Sequence, residues 1–313
     1  MLKWLVIGVG DIARKRVLPA ILAEPRSTLA GIVTRDLSKA AAYGVPAWRR
    51  LEEALAESKA SAAYVATPVF LHAAQTIACL RSGVDVLCEK PVGMDYAEAC
   101  SMQKAAEETG RTLGVAYYRR MYPKVERAKE LLDSGAIGRP FLAEATSHDW
   151  LRHEGYASDW RAKAELAGGG PLYDIASHRI DLMNYLFGKP TAASGHVSTL
   201  VHDIDVEDNA TVLIEYENGV RGMVDVRWHS RTARDEFRIR GTEGEIDLNP
   251  LNGPELVSPA GREHIPAPSN LHYPCIENFV SAIVDGAPLR SSGATAIVTD
   301  WITSQVLSRA VRP

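Results

Sequence analysis

The stretch Gly8-Val-Gly10-Asp-Ile-Ala13 constrains this chain more than any other. It directly follows a β-rich apolar run and opens a segment in which Val17, Leu18, Ile21 and Leu22 recur at helical spacing. A strand that enters a helix through so short a turn needs a residue without a Cβ where the chain reverses, and Gly8 supplies it. Gly10 lets the main chain approach a pyrophosphate, and Ala13 is small enough for close helix–strand packing. The helix N-terminus then offers unpaired N–H groups and a positive dipole to phosphates. Gly8, Gly10, Asp11 and Ile12 are therefore candidate dinucleotide contacts. Pro19 is awkward inside that helix and is expected to kink it or be absorbed in its first turns.

Further β-rich runs follow at Leu29–Thr34, Ala62–Thr67, Val84–Glu89 and Thr112–Tyr117, with helical patterns between them. This alternation predicts right-handed βαβ units and a parallel sheet covered on both faces. After residue 122 the pattern changes. A helix over Lys124–Ser134 and a strand at Phe141–Ser147 lead to Gly168-Gly169-Gly170 and a periodic helix over Tyr173–Phe187. Five β-rich runs then lie between Ala192 and Leu248, two of them joined by the hairpin signal Asn218-Gly219. The tail reads as two helices separated by Asp285-Gly-Ala-Pro288. The fold class is thus α/β plus α+β: a Rossmann-type parallel sheet over 1–122 and a mostly antiparallel sheet domain over 123–313. A length of 313 residues suits two such domains.

The formal net charge of -4 gives no support to a nucleic-acid partner. Arg14-Lys15-Arg16, Arg49-Arg50 and Arg119-Arg120 read as solvated faces. Cys79, Cys88, Cys100 and Cys275 show no paired metal-ligand spacing, nor do the histidines His196, His202, His229, His264 and His272, so no metal is assigned. The opening apolar run is too short for a signal peptide and no later stretch would span a bilayer. The chain reads as soluble and cytoplasmic, with no membrane partner.

Three places carry chemistry. At the end of the second strand an acid would bind the ribose hydroxyls of NAD, whereas an arginine would attract the 2′-phosphate of NADP. Here Ile32-Val33-Thr34-Arg35-Asp36 puts Arg35 at that position, beside Thr34, which favours NADP; NAD is the runner-up if Asp36 turns inward. Lys90 of Glu89-Lys90-Pro91 ends a strand at the carboxyl edge of the sheet, where ligands bind in such folds. Asp174 and His178 are four residues apart and share a helix face. Taken singly, Lys90 reads as a surface lysine and Asp174 with His178 as a surface pair.

In chain order the Gly10 turn, Ala66-Thr67-Pro68 with His72, Glu89-Lys90-Pro91, the Gly-Gly-Gly…Asp174…His178…Asp181 segment and Tyr273-Pro274…Glu277-Asn278-Phe279 together resemble the glucose–fructose oxidoreductase/inositol dehydrogenase/MocA family. The resemblance spans nearly the whole chain. It implies a Rossmann domain followed by an open-faced sheet domain that pairs subunits into homodimers or homotetramers. It also implies catalytic roles for Lys90, Asp174 and His178, and cofactor contacts from Thr67, Pro68, His72, Glu89 and Lys90, although His72 and Asp181 also read as supports for their loop and helix. Arg35 resembles the NADP-using members more than the inositol dehydrogenases. Tyr117, Arg119, Trp160 and Arg161 are weaker substrate-binding candidates, with Tyr122, His148, Asp149 and Trp150 behind them.

The reading that follows is an NAD(P)-dependent dehydrogenase or reductase acting on a sugar, polyol, diol or related carbonyl compound. Two others stand beside it: an enzyme that uses tightly bound NAD(P) for redox-assisted elimination, and a non-catalytic dinucleotide sensor that regulates a partner.

Overall fold

The first apolar runs become the strands β1 (Leu2–Ile7), β2 (Ser27–Val33), β3 (Ala47–Trp48), β4 (Ala62–Val65), β5 (Asp85–Cys88) and β6 (Leu113–Val115) of one sheet, in the order 3-2-1-4-5-6. Every neighbouring pair is parallel. Parallel strands covered on both faces read as continuous apolar runs, and all four residues of both β4 and β5 are buried. The short β3 has no legible sequence signal, because two residues cannot show a period. The strand order reverses between β1 and β4, which makes their carboxyl ends the switch point of the sheet. This computed structural model describes residues 1–151 and 160–309.

The chain divides into two compact units. The first joins Met1–Tyr118 to Pro268–Ile297, and the second runs from Arg119 to Ala267 and resumes at Val298. A single boundary at 122/123 therefore gives way to a discontinuous first unit. The cause is the apolar side of the helix Tyr273–Asp285. Its Phe279 is fully buried, with its ring centroid 5.4 Å from that of Trp4 in β1. A Cβ on Gly114 of β6 would stand 3.0 Å from the same ring, so glycine there leaves room for it. Arg26 ties the helix end through Asp285 and Ser281.

The second unit is an eight-stranded sheet: β7 (Pro140–Trp150), β8 (Pro190–Ser198), β9 (Asn209–Tyr216), β10 (Arg221–Arg227), β11 (His229–Gly241), β12 (Gly244–Asp247), β13 (Glu255–Ser258) and β14 (Gly261–His264), ordered 14-13-12-11-7-10-9-8. All pairs are antiparallel except β7 with β10. The Asn218-Gly219 hairpin forms, with Gly219 at φ 88°. The β13–β14 hairpin is an addition to the strands read from sequence; its short, charge-rich strands carry little alternation.

The helix Ser177–Phe187 covers one face of this sheet. Its Met183 sulfur lies 3.0 Å from where a Cβ on Gly222 would stand, and Asn184 accepts a hydrogen bond from the Tyr216 hydroxyl at 3.0 Å. Alternate residues of β9 point the other way, and Leu213 among them is 52% exposed. Among the described residues no helix is long and apolar enough to cross a membrane.

Candidate active site

In the first unit, β1 ends at Ile7 and Gly8 turns the chain at φ 92°. A Cβ there would meet the carbonyl oxygen of Ala66 at 2.7 Å, so the turn packs directly against the end of β4. Gly10 differs: nothing lies within 4 Å of its missing Cβ. The protein's own packing does not demand glycine at position 10, and the space beside its backbone fits a group such as a pyrophosphate that must come close to the main chain. The helix that follows opens with a π turn, Ala13–Val17, before the α-helix Leu18–Ala23, with Pro19 in the first turn of the latter. Pro19 comes directly after the π turn, with helical backbone on both sides of it. Asp11 turns its carboxylate back onto Arg14 and Lys15, whose hydrogen bonds hold it below the usual carboxylate range. Ile12 is exposed.

Parallel pairing brings the other first-unit candidates to the same carboxyl edge. Thr34 follows β2 and its hydroxyl bonds the Asp36 backbone. Arg35 is exposed, as is Asp36. Asp36 caps its own turn by accepting from the Ser38 N–H at 3.1 Å and the Ser38 hydroxyl at 2.6 Å, bonds that lower its carboxyl pKa. Thr67 and Pro68 follow β4. The ring of His72 is 1% exposed and its two nitrogens face the carbonyl oxygens of Thr67 at 2.9 Å and Pro91 at 3.0 Å. It stands as a strut joining the loops after β4 and β5, and burial holds its pKa below the ordinary value. Tyr117, beyond β6, is fully buried.

Lys90 is half-buried at the end of β5, and its backbone N–H donates to the Glu89 carboxylate at 3.2 Å. Glu89 also accepts from the Tyr64 hydroxyl at 2.7 Å and from His272 Nε2 at 3.2 Å. Burial by itself would raise this carboxyl; the His272 and Tyr64 bonds and the Lys90 charge outweigh it and hold the group ionised. The His272 ring lies 4.4 Å from that of Tyr118. Sequence reasoning missed this support, because His272 stands 183 residues from Glu89 and no local pattern joins them.

In the second unit the glycine cluster is a socket. A Cβ on Gly169 would stand 2.4 Å from the Tyr173 ring, and one on Gly170 would stand 2.0 Å from the carbonyl oxygen of Glu207. The helix read over Tyr173–Phe187 is a π turn, Leu172–Ala176, that runs into the α-helix Ser177–Phe187. Asp174 lies in the π turn, half-buried, and His178 begins the α-helix at 5% exposure. Such wide turns interrupt α-helices most often where side chains are being aimed at a function.

Arg119 and Arg120 are not a solvated face. Arg120 is 2% exposed and its guanidinium grips Asp181, itself 1% exposed, 61 residues away. A fully paired carboxylate is what allows an arginine to stay buried. Arg119 is 8% exposed, bonded to Asn252 and 5.7 Å from the Tyr122 ring centroid. Arg161 lies over the Trp160 ring at 4.7 Å, so these two neighbours stack on each other. His148 bonds Asp225 at 2.7 Å, and Trp150 carries Arg231 on its face at 3.9 Å. Residues 152–159, between His148 and Gly168, lie outside those described. Among the described residues no three metal-ligating side chains gather.

Comparison with known proteins places both parts of the chain in one family. A family described as an oxidoreductase family with an NAD-binding Rossmann fold matches residues 2–117, and a GFO/IDH/MocA C-terminal domain matches residues 125–247. Oxidoreductase P35 of Formosa agariphila is 30% identical over 89% of this chain and 90% of its own length. Mouse trans-1,2-dihydrobenzene-1,2-diol dehydrogenase is 30% identical over 85% of this chain and 80% of its own. A levoglucosan dehydrogenase solved with NADH and levoglucosan superposes with a TM-score of 0.88 at 25% identity, covering 99% of this chain and 97% of that one.

Proposed function

The chain belongs to the GFO/IDH/MocA family of oxidoreductases, and on that premise we propose that it moves hydride between NADP(H) and the CH–OH carbon of a sugar, polyol or diol, or the corresponding carbonyl. The observation that carries this reading is the gathering of Gly8, Gly10, Thr34, Arg35, Thr67, Pro68, Glu89 and Lys90 on one carboxyl edge around the switch point of a parallel sheet. The relatives named for a diol and for levoglucosan support the substrate class. A nicotinamide dinucleotide supplies the hydride donor or acceptor.

The chain's own groups handle the proton and the oxygen. His178 takes the hydroxyl proton as the alcohol is oxidised and returns it in the reverse direction. Asp174 orients the ring and stabilises its charged form. Lys90 stabilises negative charge developing on the substrate oxygen. Arg35 is the group for the 2′-phosphate, and the commitment of the Asp36 carboxylate to Ser38 supports NADP over NAD. The open face of the second sheet is where subunits pair.

Nicotinamide absorbance tests the reading with a panel of levoglucosan, trans-1,2-dihydrobenzene-1,2-diol, free aldoses and polyols against NADP and NAD. At least one compound is expected to give stoichiometric NADPH. Arg35→Asp is expected to lower kcat/KM with NADP by about 10- to 100-fold, the scale of one hydrogen bond to a charged group, and to favour NAD. An unchanged NADP/NAD ratio would remove Arg35 from cofactor choice.

A further inference from the structure

Two adjacent carboxylates in the loop before β9, Glu207 and Asp208, belong to no motif described above, yet both are buried, at 9% and 0% exposure. Asp208 organises the loop. It accepts from the backbone N–H groups of Leu200 (3.0 Å), Val201 (2.8 Å) and His202 (3.1 Å), from Asn209 Nδ2 (3.0 Å) and from His229 Nδ1 (3.1 Å). Burial acts to raise its pKa, but so many donors win and hold it far below the carboxylate range. Glu207 is thereby aimed elsewhere. Its Oε1 accepts from the N–H of Leu172 at 2.9 Å, at the start of the helix that carries Asp174 and His178, and Gly170 donates to it as well.

Those are N–H groups that a helix cannot satisfy within itself. The same loop supports that turn by packing: Val206 and Ile204 share an apolar cluster with Trp228, Leu151 and Ile175, the residue after Asp174. The socket at Gly169 and Gly170 is shaped to this carboxylate, since a Cβ on Gly169 would stand 3.2 Å from Glu207 Oε2.

We propose that Glu207 is a positioning residue for the Asp174–His178 pair: delivered from a distant loop, its carboxylate fixes the opening turn of the helix and so the direction in which both side chains point. The proposal rests on Asp174 and His178 being the groups that handle the substrate proton. Glu207 touches no reacting atom; it acts through the turn it caps.

The test compares Glu207→Ala, Glu207→Gln and Glu207→Asp, each checked for folding by thermal melting. Turnover is read with NADP and whichever compound of the panel above gives the highest rate. Glu207→Ala is expected to lower kcat at least tenfold while KM for NADP stays within twofold. Glu207→Gln keeps an acceptor oxygen and should recover at least a third of wild-type kcat. Glu207→Asp, one methylene short, should behave like alanine. In a His178→Ala background, Glu207→Ala should cost nothing further.

Independently of substrate, the ¹⁵N resonances of the His178 ring, assigned by their loss in His178→Ala, should shift in Glu207→Ala and return in Glu207→Gln. Wild-type kcat or an unmoved ring resonance in folded Glu207→Ala overturns the proposal, as does a full additional loss in the His178→Ala background. If alanine at 207 does not fold, wild-type kcat in Glu207→Asp overturns it instead. Wild-type turnover in His178→Ala alone would bring down the catalytic assignment and this proposal together, and that single-variant arm identifies the failure.

Discussion

Lys90 and His178 reach their places by different physical routes. Lys90 is set by a strand end and by a neighbour, Glu89, that is held ionised by Tyr64 and His272. His178 is set by a helix whose first turn is capped from elsewhere. Both Lys90→Ala and His178→Ala are expected to lower kcat at least a hundredfold, the lower range for losing an acid–base or charge-stabilising group. Fluorescence titration should show NADPH binding retained in His178→Ala, and wild-type turnover in either variant would release that residue from the mechanism. At this scale the sequence was legible where local geometry leaves one choice. Gly8 is such a case, since its φ of 92° and the Ala66 carbonyl 2.7 Å from a would-be Cβ admit little but glycine. Arg120 was not legible. A pair of adjacent arginines looks solvated until Asp181, far along the chain, is seen beside it.

The elements that carry the candidate residues share a local device. The helix after β1 and the helix carrying His178 both open with a π turn, Ala13–Val17 and Leu172–Ala176, where periodicity predicted plain α-helix. An apolar repeat sampled over so few residues cannot separate one wide turn from ordinary ones, so the elements were legible and their openings were not. Strand alternation likewise revealed β9 and β10 with their Asn218-Gly219 turn, and did not reveal the β13–β14 hairpin.

The second sheet presents one face to the helix Ser177–Phe187 and leaves Leu213 exposed on the other. If subunits pair through that face, Leu213→Arg should weaken self-association at least tenfold in sedimentation velocity. A monomeric wild-type protein, or a variant that sediments unchanged, would exclude the face.

At the scale of the whole chain, the two-unit organisation was legible as a change of pattern near residue 122, and the return of 268–297 to the first unit was not. Helical periodicity shows that Phe279 has an apolar side to bury, but nothing local says that Trp4 is what it buries against. Phe279→Ala removes a fully buried ring from that contact. It is expected to destabilise the first unit by about 3–5 kcal/mol, read calorimetrically as a fall of roughly 10 °C in Tm. A melting point within two degrees of wild type, an interval taken as about the effect of 1 kcal/mol, would show that the helix Tyr273–Asp285 contributes little to that core.

The discontinuity of the first unit also sets an order on its birth. A ribosome releases β1 at the outset, yet the surface of Trp4 has no Phe279 to cover it until nearly the whole chain has been made. A parallel sheet that forms during synthesis therefore carries an uncovered apolar flank until that helix is made, the interval in which nascent chains most need shielding from one another. A stop codon or proteolytic cut shortly before residue 268 would not yield a free nucleotide-binding domain, but one lacking the helix that completes its core.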